Sequence, residues 1–223
     1  MFQRRLLTLT SLILVTILAI ALLPLVVITT LLMSLSSRFR TAPQALTFIY
    51  GFLVHEWSGL ARFLFVSVRY RKGEHLDRNR SIQFWWAQQL FDMGKRLYKL
   101  RIEVTGTEAL EGNCALLLSR HSSMGDTVLP LLFFGKARAE GLRYVLKQEL
   151  RYLPCLDIGG HRLPNVFVDR SGTDSAKAVK EVSNLIATAG EDESVLIYPE
   201  GTRFTQKKHD DLRRKHSQLE DQL

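Results

Sequence analysis

The residues of this chain best suited to chemistry are a histidine and an aspartate that follow a short apolar run. His121 and Asp126 bound the segment His-Ser-Ser-Met-Gly-Asp, which begins three residues after the end of the run Ala115–Leu118. On a regular helix, residues five apart point about 140° away from each other. Their side chains can meet if His121 lies in a turn and Asp126 in the first turn of a following helix, with Ser122 or Ser123 as the N-cap. The carboxylate would then orient the imidazole, which could take a proton from an alcohol.

The same segment has a second interpretation. Ser123-Met-Gly-Asp126 is also a capping-box pattern, in which Asp126 does no more than cap the helix. His216 and Asp221 repeat the spacing in a polar C-terminal stretch, where a catalytic pair is not expected. The spacing alone therefore leaves both catalysis and capping open.

A second candidate segment follows the apolar run Val166–Val168. Asp169 and Arg170 come directly after this run and precede a serine and a glycine. An arginine at the end of a strand can form paired hydrogen bonds to a phosphate group. A surface ion pair is the alternative role for Arg170.

A third candidate segment is Tyr-Pro-Glu-Gly-Thr-Arg-Phe, which begins at Tyr198 after the apolar run Ser194–Ile197. A glycine in such a turn lets the backbone approach a ligand closely. Hydroxyl and guanidinium groups can donate to phosphate, and a carboxylate can accept from a substrate hydroxyl or orient the arginine. The candidate binding residues are Glu200, Gly201, Thr202 and Arg203. The alternative is an ordinary solvated turn.

In this order and spacing, the three segments resemble the glycerolipid acyltransferase family, whose members include enzymes that make phosphatidic acid from lysophosphatidic acid. The similarity runs from about Leu100 to Phe204, and residues 198–203 are its most specific part. The resemblance implies that His121 is the base and Asp126 its support in a one-step acyl transfer. It also implies that Arg170 binds the acceptor phosphate and that residues 200–203 form the acceptor site.

The chain departs from the family pattern at two places. Pro164 stands where the second motif usually begins with glycine. The family also has a fourth, apolar motif after the third, whereas Lys207–Leu223 is strongly charged. We therefore expect the acyltransferase domain, residues 81–223, to be C-terminally incomplete, with an inactive member of the fold as one alternative function.

The pattern of apolar runs predicts the elements that position these residues. Strands are expected at 101–105, 115–118, 143–146, 166–168 and 194–198, and helices at 82–99, 127–134 and 174–189. Strands that alternate with helices predict an α/β fold, with a mixed sheet flanked by helices. Such sheets bind ligands at strand ends, where all three motifs lie.

The first forty residues predict a transmembrane anchor, because no charged residue occurs between Arg5 and Arg38. A cleaved signal peptide is the alternative, and the length of the apolar run favours the anchor. Residues 41–80 are expected to form a membrane-interfacial helix and linker, for which the second arm of a helical hairpin is one arrangement. A full second span is the alternative, although His55, Glu56 and Arg62 are costly at bilayer depth.

Charge and cysteine content narrow the function. The net charge of the chain is +8 at pH 7, which suits binding to anionic lipid headgroups. The basic residues are dispersed along the chain, so they do not predict nucleic-acid binding. The two cysteines lack metal-ligand spacing, which predicts buried thiols and no zinc site. No cofactor is expected besides the acyl thioester that serves as co-substrate. The absence of a Gly-x-Ser-x-Gly segment argues against a hydrolase that uses His121 with a serine.

The sequence thus predicts a membrane-bound 1-acylglycerol-3-phosphate acyltransferase, with acyl-CoA or acyl-carrier protein as co-substrate. Another lysophospholipid is the alternative acceptor. The expected location is the cytoplasmic membrane or the endoplasmic reticulum. The basic residues beside the anchor favour an orientation in which the catalytic domain faces the cytoplasm.

Overall fold

The computed structural model describes residues 1–106, 108, 116–121, 123–135, 141–169, 175–191, 193–199 and 204–220. Six α-helices and four β-strands lie in this part of the chain. Their bounds are α1 Phe2–Ser34, α2 Ala42–Arg69, α3 His75–Tyr98, β1 Leu116–Leu118, β2 Gly141–Lys147, α4 Pro154–Arg162, β3 Val166–Val168, α5 Ser175–Ala187, β4 Glu193–Ile197 and α6 Gln206–Glu220.

The chain packs as two compact units. One contains Met1–Ala109 and Leu146–Asn165, and the other contains Leu110–Val145 and Val166–Leu223. The first unit is helical and includes α1 to α4, whereas the second holds most of the sheet together with α5 and α6.

The first unit is held together by an aromatic and aliphatic core between α2, α3 and α4. Phe63, Trp86 and Cys155 lie at its centre, each at most 9% exposed. Two glycines allow the helices to approach closely. A Cβ atom on Gly59 would lie 2.5 Å from the Cys155 sulfur, and one on Gly159 would lie 2.8 Å from the Phe63 ring.

The second unit is a four-stranded sheet with the strand order β1-β4-β2-β3. β4 pairs in parallel with both β1 and β2, with Leu117 opposite Leu196 and Arg143 opposite Val195. Residues of the strands and of α5 form its core, in which Val195 is 2% exposed and Leu185 is 4% exposed. The predicted α/β class is confirmed.

Arg143 of β2 is a buried cation in the second unit. Its guanidinium forms an ion pair with Glu193, donates to the backbone carbonyl of Leu185, and donates to both oxygens of Thr188. These bonds connect β2 with β4 and with the end of α5. A buried charge is tolerated in a sheet core only when its donors are satisfied in this way.

The element predictions hold except at one strand. Residues 101–105 form no strand, because neither face of this segment is buried. Val104 is 46% exposed, and Arg101 and Glu103 pair with each other at 3.9 Å while remaining open to solvent. The helix expected at 127–134 is present as a tight turn, Met124–Thr127, followed by a wider helical turn, Pro130–Gly135.

α1 is long and apolar enough to cross a membrane, and within the described residues it is the one helix that meets both criteria. Pro24 lies inside it, where a proline removes one backbone hydrogen bond of the helix. Most of its aliphatic side chains are exposed, including Leu18, Leu25 and Leu32. The helix therefore fits a membrane-associated segment better than a helix of a soluble core.

Candidate active site

The first motif begins where β1 ends and positions the predicted base. β1 is followed by Ser119, whose backbone N–H donates to the Ile197 carbonyl over 3.0 Å and extends the pairing with β4. His121 comes two residues later, outside any regular element. The short helical turn Met124–Thr127 then carries Asp126 back towards the histidine.

His121 and Asp126 lie close together but are not hydrogen bonded. The distance from His121 Nδ1 to Asp126 Oδ2 is 3.8 Å, which suits an ion pair and exceeds a hydrogen bond. Nδ1 is buried and has no hydrogen-bond partner within the described part of the chain. Catalytic hydrogen bonds are often long in the absence of substrate, so this distance is compatible with the predicted pair.

The structure also contains the capping arrangement that the sequence left open. The side chain of Asp126 accepts from the backbone N–H of Ser123 and, over 2.7 Å, from the Ser123 hydroxyl. Ser123 is the N-cap of the turn, as the sequence predicts for this residue or its neighbour. Capping and support of the histidine therefore involve the same carboxylate, and the cap fixes it beside His121.

Tyr198, at the end of β4, is a site residue to which the sequence gave no role. Its ring lies against the imidazole of His121, with centroids 5.2 Å apart. Its hydroxyl donates to the backbone carbonyl of Asp126 over 2.9 Å. Burial first, and then the charge of Asp126, raise the pKa of this phenol above its usual value, so it stays a neutral donor. Its position as the first residue of the third motif was the available signal.

The last residue of the third motif, Phe204, also lies beside the first motif. The backbone N–H of Phe204 donates to the carbonyl of His121 over 2.6 Å. The guanidinium of Arg120 lies over the Phe204 ring, 4.4 Å from its centroid. The first motif therefore contacts the third motif through Tyr198 on one side and through Phe204 on the other.

Strand order explains why these two motifs meet. β1 and β4 are neighbours and run parallel, so the residues that follow each strand emerge together at the carboxyl end of the sheet. β3, which precedes the second motif, lies at the opposite edge of the sheet, three strand spacings from β1. At about 4.8 Å per spacing, about 14 Å separates β3 from β1.

Five predicted binding residues lie outside the described residues, namely Arg170, Glu200, Gly201, Thr202 and Arg203. His121 and Asp126 are thus the predicted site residues that the structure brings together, and their catalytic role stays a prediction. The arrangement provides an imidazole with an adjacent carboxylate, next to a neutral phenol, at the carboxyl end of a parallel sheet.

Comparison with known proteins extends this picture. Residues 101–219, just over half of the chain, match the family model described as Acyltransferase. A relative from Pseudomonas aeruginosa, 1-acyl-sn-glycerol-3-phosphate acyltransferase, is 31% identical over 120 residues, which cover 53% of this chain and 44% of the relative. A mouse relative, 1-acyl-sn-glycerol-3-phosphate acyltransferase epsilon, is 29% identical over 90 residues, covering 40% of this chain and 25% of the relative.

These matches cover less than half the length of either relative. No solved structure matches the chain. The family match includes the first motif, the third motif and every residue placed around His121, and the two relatives carry the names that the resemblance implied. The chain therefore belongs to the glycerolipid acyltransferase family.

Proposed function

We propose that this protein is a membrane-bound acyltransferase that moves a fatty acyl group from a thioester to the free hydroxyl of 1-acyl-sn-glycerol 3-phosphate, giving phosphatidic acid. The observation that carries the proposal is the placement of His121 beside Asp126 and Tyr198 at the carboxyl end of β1 and β4. Membership of the family gives the acyl-transfer chemistry, and the names of the relatives suggest the acceptor.

The proposed step needs a base and a path for one proton. Since Nδ1 of His121 faces Asp126, Nε2 is the nitrogen that takes the proton from the acceptor hydroxyl. The hydroxyl oxygen attacks the thioester carbonyl, forming the new ester bond as the carbon–sulfur bond breaks. The imidazolium then returns the proton to the departing thiolate, so His121 ends the cycle neutral.

Asp126 stabilises the imidazolium in this scheme. The carboxylate is fixed by Ser123 and lies at ion-pair distance, so it favours the protonated histidine as the acceptor oxygen attacks. Tyr198 is a positioning residue. It packs on the imidazole and bonds the backbone of Asp126, so it restricts the movement of both groups.

The acceptor phosphate is proposed to bind the residues of the third motif. The residues on either side of positions 200–203 are close to His121, because Tyr198 packs on its ring and Phe204 bonds its carbonyl. Arg203 and Thr202 supply donors for phosphate, while Glu200 and Gly201 shape the acceptor site. Arg170 is proposed as a further phosphate ligand, although β3 lies on the far edge of the sheet from β1.

The donor is proposed to be acyl-CoA or acyl-carrier protein, since either presents an acyl thioester and the chemistry at His121 is the same for both. The chain would work at the cytoplasmic membrane or the endoplasmic reticulum, facing the cytoplasm. The exposed apolar surface of α1 supports membrane attachment, which brings the site to a lipid acceptor.

The direct test is acyl transfer by membranes that contain the protein. Radiolabelled acyl-CoA or acyl-carrier protein is supplied with 1-acyl-sn-glycerol 3-phosphate, and labelled phosphatidic acid is measured. His121→Ala should lower the rate by at least about 10²-fold, because general-base catalysis contributes about 10²–10⁴-fold. The matched control is His216→Ala, since His216 has the same spacing to an aspartate in the polar tail.

Three outcomes would contradict the proposal or one of its parts. Transfer that survives His121→Ala would remove the base from the mechanism while leaving the family unaffected. Faster transfer to another lysophospholipid, such as one with a choline or ethanolamine headgroup, would replace the proposed acceptor. Absence of transfer by the intact chain with either donor would refute the proposed activity.

A further inference from the structure

The start of α1 and the C-terminal part of α2 are both hydrogen bonded to one short helix, α4. The bonds begin at the start of α1, where Arg4 donates to one carboxylate oxygen of Asp157 over 2.5 Å and Arg5 donates to the other over 2.8 Å. Asp157 is 1% exposed, so its carboxylate is enclosed by these partners. His161 of α4 lies 3.2 Å from the same carboxylate.

The end of α2 is bonded to α4 as well. Arg162 donates to the Phe63 carbonyl and to the Ser67 hydroxyl, each over 2.7 Å. At the other end of α4, the backbone N–H of Cys155 donates to the buried carboxylate of Glu56 over 3.1 Å. The C-terminal half of α2 is therefore fixed along α4.

Between these attachments, α1 and α2 run antiparallel. Trp57 donates to the Thr16 hydroxyl over 2.9 Å, and Tyr50 donates to the Ala19 carbonyl over 2.8 Å. Residue numbers therefore increase along α1 as the numbers of their partners in α2 decrease. Residues 35–41 form the turn between the two helices. Along either helix, this turn is the part of the pair farthest from the bonds to α4.

The surface of the pair is suited to lipid. From Ile17 to Met33, α1 carries no charge, and most of its aliphatic side chains are exposed, whereas Ala19, which contacts Tyr50 of α2, is half-buried. Ile49 and Val54 add apolar surface on α2, at 57% and 60% exposure. Glu56 does not interrupt this surface, because it is 1% exposed. An apolar surface of this extent is covered by hydrocarbon in a membrane-associated protein.

We propose that α1 and α2 enter the bilayer together as a hairpin, with the Arg4–Arg5 end of α1 held on the same side as α4 by Asp157. A single crossing by α1 would place that end across the membrane from α2. It would then leave the two arginines and the buried carboxylate of Asp157 on opposite faces, each without its partner. The two ion pairs that Arg4 and Arg5 form with Asp157 are called the Asp157 clasp below.

The proposal is tested by labelling single cysteines with a membrane-impermeant maleimide. Gln3→Cys reports the start of α1, and Tyr152→Cys, at a side chain 68% exposed, reports the segment before α4. Both are made in a Cys114→Ser background. Cys155 is buried and its pKa is raised by burial and by Glu56, so its thiol is silent while the unit is folded.

Sealed vesicles of both orientations are labelled, and detergent gives the total for each reporter. The hairpin predicts that Gln3→Cys and Tyr152→Cys react in the same vesicle orientation and are both protected in the other. Reaction of the two reporters in opposite orientations would overturn the proposal. This result does not depend on acyl transfer, so it stands or fails separately from the proposed function.

A second measurement tests the clasp. Asp157→Asn should raise the labelling rate of Gln3→Cys by at least about 3-fold and leave Tyr152→Cys unchanged, and an unchanged Gln3→Cys rate would refute the clasp. Asp77→Asn is the matched control, because that aspartate is 85% exposed. Should Cys155 become reactive, the unit has unfolded, and Arg5→Gln then replaces Asp157→Asn with the same expected rise.

Discussion

Substitution of Asp126 by asparagine separates the two roles that its carboxylate has in the structure. The side chain accepts from Ser123 as a helix cap and also lies 3.8 Å from Nδ1 of His121. Asparagine keeps an oxygen for the cap and removes the charge beside the histidine. Ser123→Ala is the matched variant, because it removes the hydroxyl that donates to the carboxylate while the charge stays in place.

The expected size of the effect follows from the distance. Two unit charges 3.8 Å apart attract by about 1 kcal/mol at the dielectric constant of water and by about 4 kcal/mol at an effective value of about 20. Both side chains are about one-fifth exposed, so the interaction lies between these limits. Because this attraction acts on the imidazolium that forms in the transition state, kcat should fall by about 10²-fold, with KM little changed.

The assay is labelled phosphatidic acid formation by membranes that contain each variant, with kcat and KM measured separately. Ser123→Ala should keep kcat within about 5-fold, since loss of one hydrogen bond costs about 1 kcal/mol. Its folded state should be less stable by a similar amount, measured by thermal inactivation. If Asp126→Asn and Ser123→Ala lower kcat equally, the carboxylate acts as a cap and the electrostatic role is refuted.

Three further changes test the packing around the site and in each unit. Tyr198→Phe removes the hydrogen bond to the Asp126 carbonyl but keeps the ring against His121, so kcat should fall about 3- to 10-fold. If kcat instead equals that of the wild type, the hydroxyl does not position Asp126. Arg143→Met removes the cation that pairs with the Glu193 carboxylate, which is 12% exposed and still accepts from the Gly190 N–H, and should lower the free energy of unfolding by about 3 kcal/mol. A second substitution, Glu193→Gln, should recover part of this loss in detergent-solubilised protein, and no recovery would mean that the uncompensated charge is not the cause. Gly59→Ala places a Cβ atom 2.5 Å from the Cys155 sulfur and should lower the stability of the fold by about 1–3 kcal/mol in the same thermal assay. Gly73→Ala is the control and should be neutral, because a Cβ atom there has nothing within 4 Å. Equal stability of the two variants would contradict the close packing of α2 and α4.

Much of the fold was readable from local patterns. Short apolar runs such as Val166–Val168 form strands, since a buried strand in a parallel sheet is apolar on both faces. The failure at residues 101–105 has the same basis. Alternation of apolar and charged residues predicts a strand only where a partner covers one face, and here both Arg101 and Glu103 are open to solvent.

For the site, the sequence supplied the types of residue but not their distances. The motif order identified the family, and that identification stands on the family match over residues 101–219. It also left open whether Asp126 caps a helix or supports a base. The structure shows that the cap and the proximity to His121 coexist, because the turn at Met124–Thr127 directs the carboxylate at both.

The sequence by itself determined the apolar helix, most of the strands and the types of residue in the motifs, because each depends on residues close together in the chain. Tertiary structure decided which of them meet. The strand order placed β4 beside β1, and so joined Tyr198 to Asp126 across 72 positions. Folding of the helical unit joined Arg4 to Asp157 across 153 positions. Such pairings depend on how elements pack, which no local pattern of residues encodes.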